Sequence, residues 1–142
     1  PINQSTNFIF NKFFRTITKD KNKTIKILEI KGRTLEIKNF YEGVIKFDFE
    51  ELCNRNLGSE DFISIANNCD FLLIVELPNL SENNSNQQQR FITLIDILYE
   101  KKIPLMITSD IDLKSINSSK SLVEPFKRTV SRLYELTSMS YN

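Results

Sequence analysis

Apolar residues follow two periodicities along this chain, and their order predicts the architecture. Phe71-Leu72-Leu73-Ile74-Val75 is an unbroken apolar run of strand length. From Gln87 to Lys102, Phe91, Ile92, Leu94, Ile95, Ile97, Leu98 and Tyr99 spread around most of a helix. Ile103-Pro104-Leu105-Met106-Ile107-Thr108 is a second apolar run. Strand, helix, strand is the βαβ unit, whose strands are expected to be parallel with a right-handed crossover.

Two patterns precede this unit. Phe10, Phe13, Phe14 and Ile17 share one face of a helix expected over Ser5 to Thr18. Thr24 to Ile30 and Arg33 to Ile37 then alternate apolar with polar, as half-buried strands do, with Lys31-Gly32 as the turn. Val44-Ile45-Lys46-Phe47 follows Gly43 as a third strand, completing an antiparallel meander. Phe49 to Cys53 reads as a short helix or turn. Ser59, followed by Glu60 and Asp61, reads as the cap of a helix with Phe62, Ile63, Ile65 and Ala66 facing inward.

Beyond these, the segment Leu77 to Gln88 is Asn- and Ser-rich and is expected to be an exposed loop. Ile111 to Ser121 is polar and poorly patterned. The last helix is expected from Pro125, at its first position, to about Met139, with Phe126, Val130, Leu133 and Leu136 or Thr137 as its apolar stripe. The fold class is therefore α/β: a small antiparallel meander, then a βαβ unit, then a C-terminal helix in one domain over residues 1–142.

Composition narrows the function by exclusion. The net charge of +1 gives no reason to expect a nucleic acid or an anionic membrane as an obligatory partner. No apolar run approaches the ~20 residues that span a bilayer, and no basic-then-apolar leader is present. The chain has no histidine, which removes Ser-His and Cys-His catalysis and the usual metal sites. Cys53 and Cys69 lack zinc-ligand spacing and are expected as buried thiols in a reducing compartment. The start at Pro1 suggests a fragment or a processed product. No G-x-x-x-x-G-K-[ST] loop occurs, so the chain alone is not a complete P-loop enzyme.

The candidate chemistry is arginine. The polar residues of the Gln87–Lys102 helix, Arg90, Thr93, Asp96 and Glu100, form a narrow stripe. It is either a solvated edge or a set of side chains aimed into an interface or nucleotide site. Arg90 is expected near the helix start, where a cation opposes the dipole. In the last helix Arg128 and Arg132 are four apart, and Lys127 and Arg128 are expected in the first turn. Such like-charge pairs are unfavourable by a few tenths of a kcal/mol. A bound phosphate or carboxylate would offset that. So would ion pairs within the domain, with Glu50, Glu51 or Asp61 as candidates. Asp110 and Asp112, two loop acids, are weak grounds for a metal.

Several stretches, in order, resemble the C-terminal part of the ZapE family of P-loop ATPases, also known as the lactation-elevated or AFG-one-like ATPases. They are Lys31-Gly32-Arg33, Phe47 to Cys53, Leu57 to Phe62, Glu76-Leu77-Pro78, Arg90 to Glu100 and Arg128 to Leu136. The chain departs from the family pattern at Asn56, Phe62, Gln89, Asn68-Cys69-Asp70 and Leu136-Thr137-Ser138. Gln89 replaces the first arginine of the family's R-R-F-I, whereas Arg90, Arg128 and Arg132 keep their places.

The resemblance implies a portion of an AAA+-related ATPase that lacks the Walker A and Walker B elements and is inactive alone. It implies ATP and Mg as the full-length protein's cofactors. Its implied partners are the upstream half, further copies of the chain and cell-division proteins. It also implies a cytoplasmic or mitochondrial setting, peripheral membrane association, and roles in bacterial cell division or mitochondrial protein quality control. Arg90, Arg128 and Arg132 become candidate catalytic residues, acting as sensors or arginine fingers. The alternative is a diverged, non-catalytic interaction module whose arginines hold its own fold or a protein partner.

Overall fold

The computed structural model describes residues 4–54, 56–109 and 122–138. Its elements are α1 (Gln4–Thr18), β1 (Thr24–Ile30), β2 (Arg33–Tyr41), β3 (Val44–Asp48), a π-helical turn (Glu50–Asn54), α2 (Ser59–Asn67), β4 (Phe71–Leu77), a 3₁₀ turn (Glu82–Asn84), α3 (Ser85–Glu100), β5 (Leu105–Ser109) and α4 (Val123–Thr137). Asp110, Asp112, the Ile111–Ser121 stretch and Met139 lie outside the described residues.

The five strands form one sheet in the order β1-β2-β3-β4-β5. β1, β2 and β3 pair antiparallel, with Leu28 opposite Leu35 and Phe40 opposite Ile45. β3, β4 and β5 pair parallel, with Phe47 opposite Ile74 and Ile74 opposite Ile107. The mixed α/β architecture expected from the pattern is the one observed. Gly43 closes the second hairpin at φ 100, and Glu42 shares the left-handed region at φ 51. Two consecutive positive φ values are what a tight two-residue hairpin of right-twisted strands requires.

Strand alternation sends neighbouring residues to opposite faces, and here both faces are covered. On one face α1 lays Phe10, with Phe13, Phe14 and Ile17, over Val44, Phe71 and Leu73. On the other, α2, α3 and α4 cover Ile45, Phe47, Leu72 and Ile74 with Phe62, Ile65, Phe91, Leu94, Ile95, Leu98, Leu133 and Leu136. This double covering explains why Phe71 to Val75 reads as an unbroken apolar run. Cys53 and Cys69 are both buried free thiols.

The structure corrects several local expectations. The cap of α2 is Gly58, not Ser59, and its N–H donates to Asp61 Oδ2 at 2.8 Å. Ile63 is 42% exposed and does not face inward. The Leu77–Gln88 segment is not simply an exposed loop, because Leu77, Leu80 and Gln88 are buried. Its polar residues build a cap: Asn83 N–H donates to Ser81 Oγ at 3.2 Å and Ser81 N–H to Asn84 Oδ1 at 2.7 Å. The Gln88 amide then donates to the Ser81 carbonyl at 2.5 Å. Hydrogen-bonding side chains, beside the buried Leu77 and Leu80, order this stretch, so hydropathy alone misses it.

Both arginine-bearing helices start earlier than expected. α3 begins at Ser85, which puts Arg90 in its second turn. α4 begins at Val123, so Pro125 is its third residue and Lys127 and Arg128 lie in the second turn. The dipole opposition expected at these cations is correspondingly weak, since it fades within the first turn.

Candidate functional site

α3 and α4 pack together through Leu94, Leu98, Leu133 and Leu136 among others, and a polar strip runs along one edge of this contact. α3 supplies Asp96 and Tyr99, three apart. α4 supplies Arg128, Arg132 and Glu135, at spacings of four and three. These spacings keep each set on one helix face.

The strip is held together link by link. Arg132 Nη1 donates to Asp96 Oδ1 at 2.5 Å, and Arg128 Nη2 lies 3.5 Å from Asp96 Oδ2. The Arg132 guanidinium carbon also lies 4.6 Å from the centroid of the Tyr99 ring, in cation–π range. The Glu135 carboxylate raises the pKa of the Tyr99 hydroxyl, because ionisation would set two anions side by side. The order of contacts is therefore Arg128, Asp96, Arg132, Tyr99.

The two arginines differ within this order. Arg132 is 22% exposed and fixed from two sides, whereas Arg128 is 58% exposed and, among the described residues, pairs with Asp96 Oδ2 alone. One carboxylate between two guanidiniums leaves that trio with an excess positive charge. The expected internal partners Glu50, Glu51 and Asp61 are replaced by Asp96. Glu51 Oε1 instead accepts from Asp48 N–H at 3.1 Å, capping the π-helical turn.

Arg90 stands apart from this trio. Its Nη1 donates to the carbonyl oxygen of Cys53 at 2.9 Å, at the end of the π-helical turn. The last carbonyls of a helical turn have no partner within it, so the guanidinium satisfies one of them. Burial pushes the Cys53 thiol up, with Arg90 opposing and Glu50 adding to the shift. Of the three arginines singled out by sequence, the structure thus brings Arg128 and Arg132 together and places Arg90 elsewhere.

Sequence reasoning missed a further pair. Arg33, at the start of β2, forms a two-point ion pair with Asp61 of α2, Nη1 to Oδ1 at 2.6 Å and Nη2 to Oδ2 at 2.8 Å. The signal was present, since Lys31-Gly32-Arg33 and Leu57 to Phe62 are two of the stretches that carry the resemblance. What the one-dimensional pattern lacked was their proximity. Asp96 was legible as a polar break in an otherwise apolar helix, but not as the acid that α4 reaches.

Among the described residues no group of three or more His, Cys, Asp or Glu could hold a metal ion. The strip suits an anion instead, because guanidinium groups match phosphate and carboxylate oxygens.

Comparison with known proteins shows what the chain's sequence is similar to. The chain is 24% identical over 141 residues to the cell division protein ZapE of Escherichia coli K12, covering 99% of this chain and 38% of that protein. It is 31% identical over 88 residues to the lactation elevated protein 1 homolog B of Danio rerio, covering 62% of this chain and 18% of that protein. The matched regions lie in the C-terminal parts of these relatives. No solved structure matches. The family profile of the AFG1-like ATPases matches residues 1–142, and the chain belongs to that family.

Proposed function

We propose that this chain is the C-terminal portion of a P-loop ATPase that binds and hydrolyses ATP in its full-length form. Arg128 is the residue through which this portion reaches the nucleotide phosphates. The observation that carries the reading is the state of Arg128. It is 58% exposed, it shares its acid with Arg132, and its ion pair is long at 3.5 Å. Among the described residues its one ion-pair partner is Asp96, and a guanidinium carries five N–H donors.

An arginine beside the terminal phosphate stabilises the charge that develops as the phosphoryl group transfers. Arg128 would do so for a nucleotide held by the upstream half or by a neighbouring copy. ATP and Mg would be bound mainly by residues outside this chain, which holds no G-x-x-x-x-G-K-[ST] loop. Cell-division proteins are the partners suggested by the name of the E. coli relative. A bacterial member would act in the cytoplasm or at the membrane surface, and a eukaryotic one in mitochondria. No helix among the described residues is long and apolar enough to cross a membrane.

The interaction-module reading draws on Arg90 and Arg132, both engaged within the fold. On that reading the arginines stabilise the domain and none touches nucleotide. Arg128→Ala in the full-length protein separates the two. The ATPase reading expects turnover to fall by about 10³-fold or more with little change in melting temperature. Unchanged turnover would favour the module.

A further inference from the structure

We infer that Asp96 is a positioning residue for Arg128, aiming its guanidinium through a carboxylate that Arg132 holds still. The inference rests on the phosphate-contacting role of Arg128 and adds the device that sets its direction.

The two oxygens of Asp96 have different tasks. Oδ1 is taken by Arg132 at 2.5 Å, and Arg132 is itself stacked on Tyr99 at 4.6 Å. This chain of contacts fixes the plane of the carboxylate. Oδ2 then presents a stationary negative charge 3.5 Å from Arg128 Nη2. That distance orients a guanidinium by charge without consuming its donors in a short, geometrically demanding bond.

The sequence spacing makes such a device necessary. Arg128 and Arg132 are one helical turn apart, and like charges there repel. Without the acid between them, Arg128, with its long and exposed side chain, would swing away from Arg132 and spread over several rotamers. A half-restrained arginine also suits a transition-state contact. Holding the donor near its working geometry before the charge develops raises turnover, whereas a fully engaged one could not leave its partner.

The role makes a kinetic signature that a stabilising ion pair would not. In the full-length ATPase, Asp96→Ala should lower kcat about 10- to 100-fold, with KM for ATP changed far less, at a temperature where the variant remains fully folded. Asp96→Glu, which restores the charge on a longer stem, should recover part of the loss. Introducing Asp96→Ala into an Arg128→Ala background should lower kcat no further, because the residue acts through Arg128.

Three outcomes decide the matter. A kcat loss for Asp96→Ala that vanishes in the Arg128→Ala background supports positioning. A loss of equal size in both backgrounds, or none in the presence of a large Arg128→Ala effect, overturns positioning while leaving the phosphate role intact. Normal kcat in Arg128→Ala itself overturns the role on which the inference rests, and the inference with it.

Discussion

Arg33 grips Asp61 with both guanidinium nitrogens, at 2.6 and 2.8 Å, and so ties the β1–β2 hairpin to α2 across the sheet edge. Asp61 is fully buried and Arg33 is 45% exposed. Asp61 also accepts from Gly58 N–H at 2.8 Å, so one carboxylate serves as ion-pair partner and helix cap together. Among the described residues, Arg33→Ala would leave the buried carboxylate with the cap bond alone. Loss of one member of a buried pair costs about 3–5 kcal/mol, and partial exposure of Arg33 places the expected loss toward the lower end. Urea unfolding of the wild type and variant measures it. A loss below about 0.5 kcal/mol, the range of ordinary surface changes, would contradict the assignment.

Gly43→Ala should also destabilise the fold. The residue sits at φ 100, where L side chains are strained, and an added Cβ would meet the Asp70 carboxyl group. Asp70 N–H also donates to the Gly43 carbonyl at 2.7 Å, which leaves that turn little freedom to move aside. Backbone strain of this kind costs about 1–3 kcal/mol. Gly32→Ala, at φ 79 but with open space around it, should cost less. Equal melting temperatures for the two variants would show that contact with Asp70 does not matter.

The thiols give a test that reads burial directly. Burial pushes Cys69 from the ordinary 9.0 up to about 12, and pushes Cys53 up as well. Thiolates are the reactive form, so the native chain should resist a thiol-labelling reagent at pH 8 and react fully in denaturant. The folded values lie above the unfolded ones. Stability from these groups is therefore complete below pH 9, and it declines as pH rises from there through the folded values. Rapid labelling of either cysteine in the native state would contradict their placement.

Arg90→Ala should act on stability rather than on turnover alone. Its guanidinium satisfies the Cys53 carbonyl at 2.9 Å. An orphaned buried acceptor costs about 1–3 kcal/mol. The expected signature is faster amide exchange over residues 50–54 with the rest of the chain protected. Unchanged exchange there would show that Arg90 does not hold the π-helical turn.

These relationships show what the sequence could and could not carry. The continuous run at Phe71 to Val75 and the alternation from Thr24 to Ile37 encode strands because burial on two faces or one leaves that imprint. The wrapped apolar pattern of α3 encodes a helix covered on most sides. Helix starts were less legible, since Ser85 and Val123 lie in polar or mixed surroundings and no side chain caps either helix. The cap built from Ser81, Asn84 and Gln88 was invisible to hydropathy. Arg128 and Arg132 stood out by their spacing, but their shared acid lies 32 and 36 residues away, and only the packing of α3 on α4 joins them. The family assignment rested on collinear short stretches, and the structure shows that two of them meet as Arg33 and Asp61.

The central claim is that this portion of an AFG1-like ATPase contributes Arg128 to phosphate chemistry. Steady-state ATP turnover of the full-length protein carrying Arg128→Ala tests it most directly, read beside the melting temperature. The claim expects kcat to fall about 10³-fold or more while the melting temperature stays within a few degrees of the wild type. Turnover equal to wild type in a folded variant would contradict it.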